Sequence, residues 1–257
     1  MEIGPRRKAL ALFLERLGAR SQLGEAERTA VLALPGYPQT VAAHRDVVRV
    51  GEQVEHCCLV VEGLIGRFAQ LEDGSRQIVG FHLPGDMVGL DTLMLAQAAS
   101  PLHALTNSTI IKVPHDALRD LVAAHGELSA ALWRDCIVDS AILARWLVNV
   151  GRKNARSRIA HLLCEMALRY DQIGRLRHGT FCFPITQEQI ADAVGMTAVH
   201  VNRSIKTLRD EGLILWARSE ITIRDWRALA SIGEFDADYL CLGAPRDRSV
   251  ALTRRVS

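Results

Sequence analysis

The stretch from Thr186 to Ile214 constrains this chain more than any other, because it permits little besides two short helices joined by a tight turn. Thr186 can cap the first helix, and Gln189 three residues on completes a capping box. Ile190 and Val194 recur at helical spacing, and Ala191 is small enough for a second helix to pass close. Gly195 then stops the helix, since only glycine enters the left-handed region cheaply. Thr197 caps the next helix. Val201, Ile205 and Leu208 form its apolar stripe, leaving Ala198, Val199, Asn202, Arg203 and Lys206 on the other side. A small residue, a glycine four on and a valine six beyond that is the spacing of a helix-turn-helix whose second helix enters a DNA groove.

An ordinary helical hairpin in a core would share part of this pattern, and two flanking features separate the readings. After the second helix come Leu213-Ile214 and Trp216, then Ile221-Thr222-Ile223, with the polar Ala217 to Glu220 between them. That reads as a short hairpin, the wing of a winged helix. Charge is also unevenly placed. Residues 152 to 227 hold 13 Lys/Arg against 8 Asp/Glu, a net of +5. Residues 1 to 151 hold 14 against 17, a net of −3, and the last 30 residues balance at 4 and 4. The formal total of +2 thus conceals a basic module on a mildly acidic one, the footprint expected of a DNA reader.

The 257 residues have room for two domains with cores, and the 49% hydrophobic content is that of a soluble globular chain. Residues 8 to 34 carry helical periodicity up to the Pro35-Gly36 and Pro38 breaks. From about 40 to 113 short strand-like runs alternate with turn signals: Val47-Val48, Leu59 to Val61, Leu64 to Leu71, Gln77 to Phe81 and Thr109 to Val113. Regular short strands argue for a sandwich or barrel, with a hairpin at Asp73-Gly74. A short helix follows Pro114, and a long one runs from about Glu127 to Arg152. Leu128, Leu132, Cys136, Leu143, Leu147 and Val150 approximate one apolar line along it, with Ile142 and Trp146 beside them. Leu132, Ile137, Val138, Leu143 and Leu147 spread round the axis, and a helix apolar on two sides has two partners. The expected partners are the β-domain and the same helix of a second chain, in a coiled-coil-like homodimer. Gly151 to Asn154 reads as a hinge, Asn154 caps a helix over Ala155 to Tyr170, residues 171 to 182 read as a polar loop, and the end reads as a loose tail.

No run of 18 uncharged apolar residues exists, so no membrane span is expected. The N-terminal Ala9-to-Leu14 run is too short for a secretory signal, so the expected location is the cytoplasm. Cysteines 57, 58, 136, 164, 182 and 241 lack framework or metal spacing, so no metal site and no cofactor are expected. Adjacent Cys57 and Cys58 point to opposite strand faces and read as small buried residues, with a thiol switch as the alternative. No nucleophile elbow, phosphate loop or metal-ligand pair marks an enzyme.

This order of modules resembles the Crp/Fnr family of bacterial transcription regulators. The resemblance is carried by Thr186 to Ile214, by Leu59-Val-Val-Glu-Gly63, by Asp73-Gly-Ser-Arg-Gln-Ile78 and by Leu83-Pro-Gly-Asp-Met-Val-Gly89. It implies an α+β chain with a β-roll (jelly-roll-like) sensor of cyclic-nucleotide-binding type, a long dimerisation helix and a C-terminal winged helix-turn-helix. The corresponding bounds are 1–125 for the N-terminal helices and β-roll, 126–153 for the helix and hinge, 154–230 for the winged helix and 231–257 for a tail. The resemblance also implies a homodimer on palindromic promoter DNA that contacts RNA polymerase. Two departures matter. Members that bind cyclic AMP carry a Glu after the glycine matching Gly89 and later a phosphate-binding Arg. Here Leu90 follows Gly89, and no Arg lies between Leu90 and Ile111. A buried phosphate would lack its cation, so ordinary cyclic-AMP sensing is not expected and the effector is unassigned. Oxygen-sensing members use N-terminal cysteines, and none precedes Cys57 here. A haem sensor using His44, His56, His82 or His103 stays open as an alternative.

The surface expected to meet DNA comprises Thr186, Gln187, Thr197, Ala198, Val199, His200, Asn202, Arg203, Lys206 and Arg209. Val199 stands where much of the family has a Glu that accepts from cytosine, so with Ala198 it is suited to a thymine methyl instead. Arg203 matches a family Arg and is the first choice for a bidentate guanine contact, and Asn202 suits adenine. His200 can reach a base or a phosphate, while Lys206 and Arg209 are placed to hold phosphates. The rival reading is a small-molecule-binding protein whose winged helix makes protein contacts.

Overall fold

The computed structural model describes residues 4–95, 97–242, 246 and 250. It divides within one long helix into two compact units, one reaching Ser140 and the other starting at Ala141.

The first unit opens with helices α1 (Pro5–Arg20) and α2 (Glu25–Ala33), which account for the 8–34 periodicity. Among the described residues eight strands follow: β1 (Tyr37–Val41), β2 (Asp46–Val48), β3 (His56–Glu62), β4 (Ile65–Gln70), β5 (Arg76–His82), β6 (Met87–Val88), β7 (Leu102–Ala104) and β8 (Ser108–Pro114). They form two four-stranded antiparallel sheets, β1-β8-β3-β6 and β2-β7-β4-β5. This is the β-roll that the family resemblance implied, within the sandwich-or-barrel class that the strand spacing indicated. β1, β6 and β7 are strands that sequence spacing did not resolve, two of them being three residues or fewer. The expected Asp73-Gly74 hairpin joins β4 to β5, and Asp73 Oδ1 accepts from the Ser75 N–H at 2.9 Å to close the turn.

β3 is apolar on both faces because it has two cores to fill. Cys57, Leu59 and Val61 pack outward with Leu10, Phe13 and Leu17 of α1, while Cys58 and Val60 face the roll interior with Val41, Ile65 and Ile110. Register keeps this alternation, with Cys57 opposite Val113 and Leu59 opposite Ile111 on β8. α3 (His115–Ala124) and the first part of α4 (Gly126–Arg152) complete the outer core through Leu118, Leu121, Leu128 and Leu132. Arg16 of α1 joins three carboxylates, two from α4 and one from the β5–β6 turn. It donates to Asp135 at 2.9 Å, to Asp139 at 3.1 Å and to Asp86 in the β5–β6 turn. Burial disfavours the guanidinium charge, but the three carboxylates together hold its pKa well above the ordinary value.

α4 is two-faced, though not along the expected line. Leu128, Leu132, Asp135, Val138, Ile142, Trp146 and Asn149 are buried at helical spacing. Leu143 and Leu147, expected with Leu128, stand on the exposed flank beside Trp133 and Ile137. At 3.6 residues per turn Leu147 lies about 100° round the axis from Leu128, so a straight helix cannot keep both on one face. Among the described residues no helix is long and apolar enough to cross a membrane.

The second unit holds the end of α4, then α5 (Ala155–Gln172), β9 (Thr180–Cys182), α6 (Gln187–Val194), α7 (Ala198–Asp210), β10 (Ile214–Ala217), β11 (Glu220–Ile223) and α8 (Trp226–Ile232). α5 is the central element and is buried almost all round from Ser157 to Asp171. The segment 171–182, expected as a loop, ends in β9, which joins the wing hairpin in a three-stranded sheet ordered β10-β11-β9. Phe181 and Phe183 alternate with exposed Cys182 and pack on Tyr170 of α5. Part of the stretch expected as a tail is packed. Phe235 lies edge-on to His161 at 5.2 Å, and the Tyr239 hydroxyl donates to Glu165 at 2.8 Å. Most of the expected tail from residue 243 on lies outside the described residues. Gly151 to Asn154, read as a hinge, is bracketed by bonds: Asn149 Nδ2 donates to Arg158 O at 3.3 Å, and Asn154 caps α5 through the Ser157 N–H at 3.0 Å.

Candidate nucleic-acid interface

Local chemistry sets α6 and α7 at a fixed angle. Thr186 Oγ1 accepts from the Gln189 N–H at 3.1 Å, and Gln189 Oε1 accepts from the Thr186 N–H at 3.0 Å, so both halves of the capping box form. Gly195 ends α6 at φ 61°, in the left-handed region where a side chain costs about 1 kcal/mol. Thr197 Oγ1 then accepts from the His200 N–H at 3.4 Å to start α7. Val201, Ser204, Ile205 and Leu208 are buried, which turns the opposite face of α7 to solvent.

That face carries Val199, His200, Asn202, Arg203, Lys206 and Arg209, all exposed, with Ala198 partly covered at its start. Val199 is 68% exposed, so a branched apolar side chain stands in water at the leading end of the helix. No carboxylate occurs in α7 before Asp210, its last residue. His200 is held locally, its Nδ1 lying 3.3 Å from Thr197 Oγ1. Thr186 and Gln187 are exposed at the start of α6, next to the cap rather than on α7. Thr186 and Thr197 each spend their hydroxyls on capping and stand at two helix N-termini, where N–H groups attract anions.

Beside α7, β10 and β11 pair from Ile214↔Ile223 to Ala217↔Glu220. Arg218 takes φ 55° at the tip, and Trp216 Nε1 donates back to its carbonyl at 3.2 Å. The wing is therefore a formed hairpin, braced by β9 and, just beyond it, by the Phe183 N–H, which donates to Ser219 O at 2.7 Å.

The charge footprint is smaller than the sequence count suggests. Lys153, Arg156, Arg158 and Arg169 all bind within the fold. Arg169 lies 3.5 Å from buried Glu165, whose other oxygen accepts from Trp146 Nε1 at 3.0 Å and from Tyr239. Burial raises the Glu165 pKa despite these donors. His161 beside it is pushed down to about 4, by burial first and then by the Lys153 ammonium at 3.0 Å. Sequence reasoning gave no hint of this network, since an amphipathic helix with scattered charges reads as solvated. β9 did leave a signal, the aromatic alternation of Phe181 and Phe183.

In the first unit a small cavity lies inside the roll, lined by residues that include His56, Cys58, Arg67, Gly89, Asp91 and Ser100. About 10 Å³ is free, room for about one water. Arg67 and Asp91 pair at 3.7 Å on its wall. Cys57 and Cys58 are both buried, in the outer and inner cores respectively. Burial raises both thiols, that of Cys58 to about 12.

A β-roll, a long two-faced helix and a winged helix with an exposed cationic second helix define a DNA-binding transcription regulator rather than a protein-contact module. Comparison with known proteins agrees. The profile of the Crp-like helix-turn-helix domain matches residues 157–232, and that of the cyclic nucleotide-binding domain matches residues 38–125. The transcriptional activator protein FnrL of Cereibacter sphaeroides is 30% identical over 233 residues, covering 83% of this chain and 87% of that protein. The nitrogen fixation regulation protein FixK of Azorhizobium caulinodans is 27% identical, covering 77% and 80%. The structure of FixK2 from Bradyrhizobium japonicum superposes with a TM-score of 0.70 at 24% identity, covering 77% of this chain and 98% of that one, which is a likeness of fold. The chain belongs to the Crp/Fnr family of transcription regulators.

Proposed function

We propose that this regulator binds a palindromic promoter site as a homodimer, in the cytoplasm, with RNA polymerase as its further partner and no catalytic role. The observation that carries the DNA reading is the outer face of α7, cationic and free of carboxylates up to its last residue. Arg203 is assigned to guanine, Asn202 to adenine and Val199 with Ala198 to a thymine methyl, while Lys206, Arg209 and the N-termini at Thr186-Gln187 and Thr197 hold phosphates. His200 serves as an auxiliary donor. The homodimer is supported by the exposed face of α4, where Trp133, Ile137 and Leu147 are 63%, 64% and 74% exposed. Large apolar side chains in a row on a helix favour burial against a like surface.

Residues 1–125 form the input module, 126–153 the dimerisation helix and 154–230 the reader. The input is not cyclic AMP. Leu90 and the Arg-free run to Ile111 remove the expected ribose and phosphate contacts. The effector is unassigned, and a regulator set by the level of the protein alone is the alternative. The test is selection from random duplex DNA with purified, untreated protein, followed by affinity for the winner against scrambled DNA. A palindrome bound at least about a thousandfold better is expected. No enrichment would refute action without an effector. Cyclic AMP at millimolar concentration is expected to leave the unfolding temperature and this affinity unchanged.

A further inference from the structure

We propose that Arg158 is the positioning residue that locks the recognition helix to the end of α4 and so sets which half-site spacing the regulator accepts, given the homodimer on a palindrome proposed above. Its guanidinium closes two helix ends at once. Nε donates to Lys153 O at 2.9 Å, the carbonyl that follows α4, and Nη1 donates to Val194 O at 3.0 Å and Gly195 O at 3.1 Å, the last carbonyls of α6. The final carbonyls of a helix have no partner within it and carry its partial negative charge, so a cation there gains both a hydrogen bond and a dipole contact. Two residues beyond Gly195, Thr197 caps α7. The orientation of α7 against the end of α4 thus passes through one rigid, planar group.

The rest of the joint reinforces it. Asn149 Nδ2 of α4 donates to the Arg158 carbonyl, and Lys153 Nζ donates to Gly233 O at 2.6 Å beyond α8. Arg156, two residues away, pairs with Glu211, and both side chains are 38% exposed. Such a half-exposed pair contributes little, whereas three charge-assisted bonds to helix-end carbonyls fix a geometry. A lysine cannot replace the arginine, because a single ammonium lacks the fork that reaches both helix ends.

If α4 pairs with α4 of a second copy, this joint fixes the separation of the two recognition helices. Moving a half-site by one base pair shifts it by about 3.4 Å and turns it by roughly 35°, which a rigid joint resists. The experiment uses the full chain, its selected palindromic duplex, two duplexes with half-sites one base pair closer or farther apart, and random DNA. The wild type is expected to bind the altered spacings at least about tenfold more weakly. Arg158→Met is expected to lose about tenfold on the best duplex and to bind the altered ones within about threefold of it. Arg158→Lys keeps the charge and is expected to lose the discrimination too, which decides the matter should Arg158→Met not fold by circular dichroism. Arg156→Gln removes the same charge nearby and is expected to keep wild-type discrimination. Wild-type spacing preference in the Arg158 variants would overturn the proposal, as would one common loss on every duplex, random DNA included. A wild type without palindrome preference would overturn the dimeric reading and this joint's role with it.

Discussion

Arg203 and Lys206 lie on the same exposed face of α7, one turn apart, yet they are assigned different work, and affinity separates the two roles. Arg203→Ala should cost about 1 to 3 kcal/mol on the selected site and relax its sequence preference, with little change on random DNA. Lys206→Ala should weaken both kinds of DNA alike and reduce the salt slope by about 1. Equal loss on both DNAs for Arg203→Ala would remove it from base reading. The buried groups carry a second prediction. His161 is 2% exposed and its pKa falls to about 4, below its value in the unfolded chain. The unfolded state then binds more protons between about pH 6.5 and 4, so stability falls as pH drops through that window, by on the order of 3 kcal/mol. Glu165, with its raised pKa, acts in the opposite sense, so the readout is the difference between wild type and His161→Gln. Wild type should lose more stability than the variant between pH 7 and 4, and parallel unfolding curves would contradict this. The raised thiols of Cys57 and Cys58 predict a third outcome. Under native conditions a thiol reagent should modify exposed Cys182 and Cys241 and spare these two, which mass spectrometry would show.

Elements whose signals are local were legible in the chain. The capping box at Thr186, the glycine at 195 and the cap at Thr197 mark α6 and α7 because each depends on residues within four positions. β9 was missed because three residues make no period, and its strand character comes from pairing Thr180 to Cys182 with β11 some forty residues away. The apolar line of α4 was assigned to the wrong flank for Leu143 and Leu147, since a sequence with apolar residues on two sides fits more than one line. The joint of α5 and α8 is also nonlocal. Gly233 closes α8 where a Cβ would sit 2.7 Å from the His161 N–H nitrogen and 3.0 Å from the Ala160 carbonyl carbon. Its φ is −73°, so the constraint is space and not backbone conformation. Gly233→Ala should destabilise by about 1 to 3 kcal/mol, read by thermal unfolding, and an unchanged midpoint would mean that α8 can back away.

At the scale of the whole molecule, the net +5 of residues 152–227 pointed correctly to nucleic acid, although at least four of those cations serve the fold instead. The dimer is the property the exposed face of α4 predicts. Ile137→Glu with Leu147→Glu should convert a dimer at micromolar concentration into a folded monomer by light scattering and abolish palindrome selection; a dimer that persists would assign that face another role. The sequence by itself determined the order of modules, the sandwich-or-barrel class of the first unit and the helix-turn-helix with its caps. These follow from periodicity, capping and turn chemistry, which act over a few residues. Only the tertiary structure decided which side of α4 is buried, that β9 braces the wing, that Arg16 gathers three carboxylates, and that Arg158 joins two helix ends. Each depends on groups far apart in the chain meeting in a low-dielectric interior, and the energy of such a meeting leaves no period in the sequence.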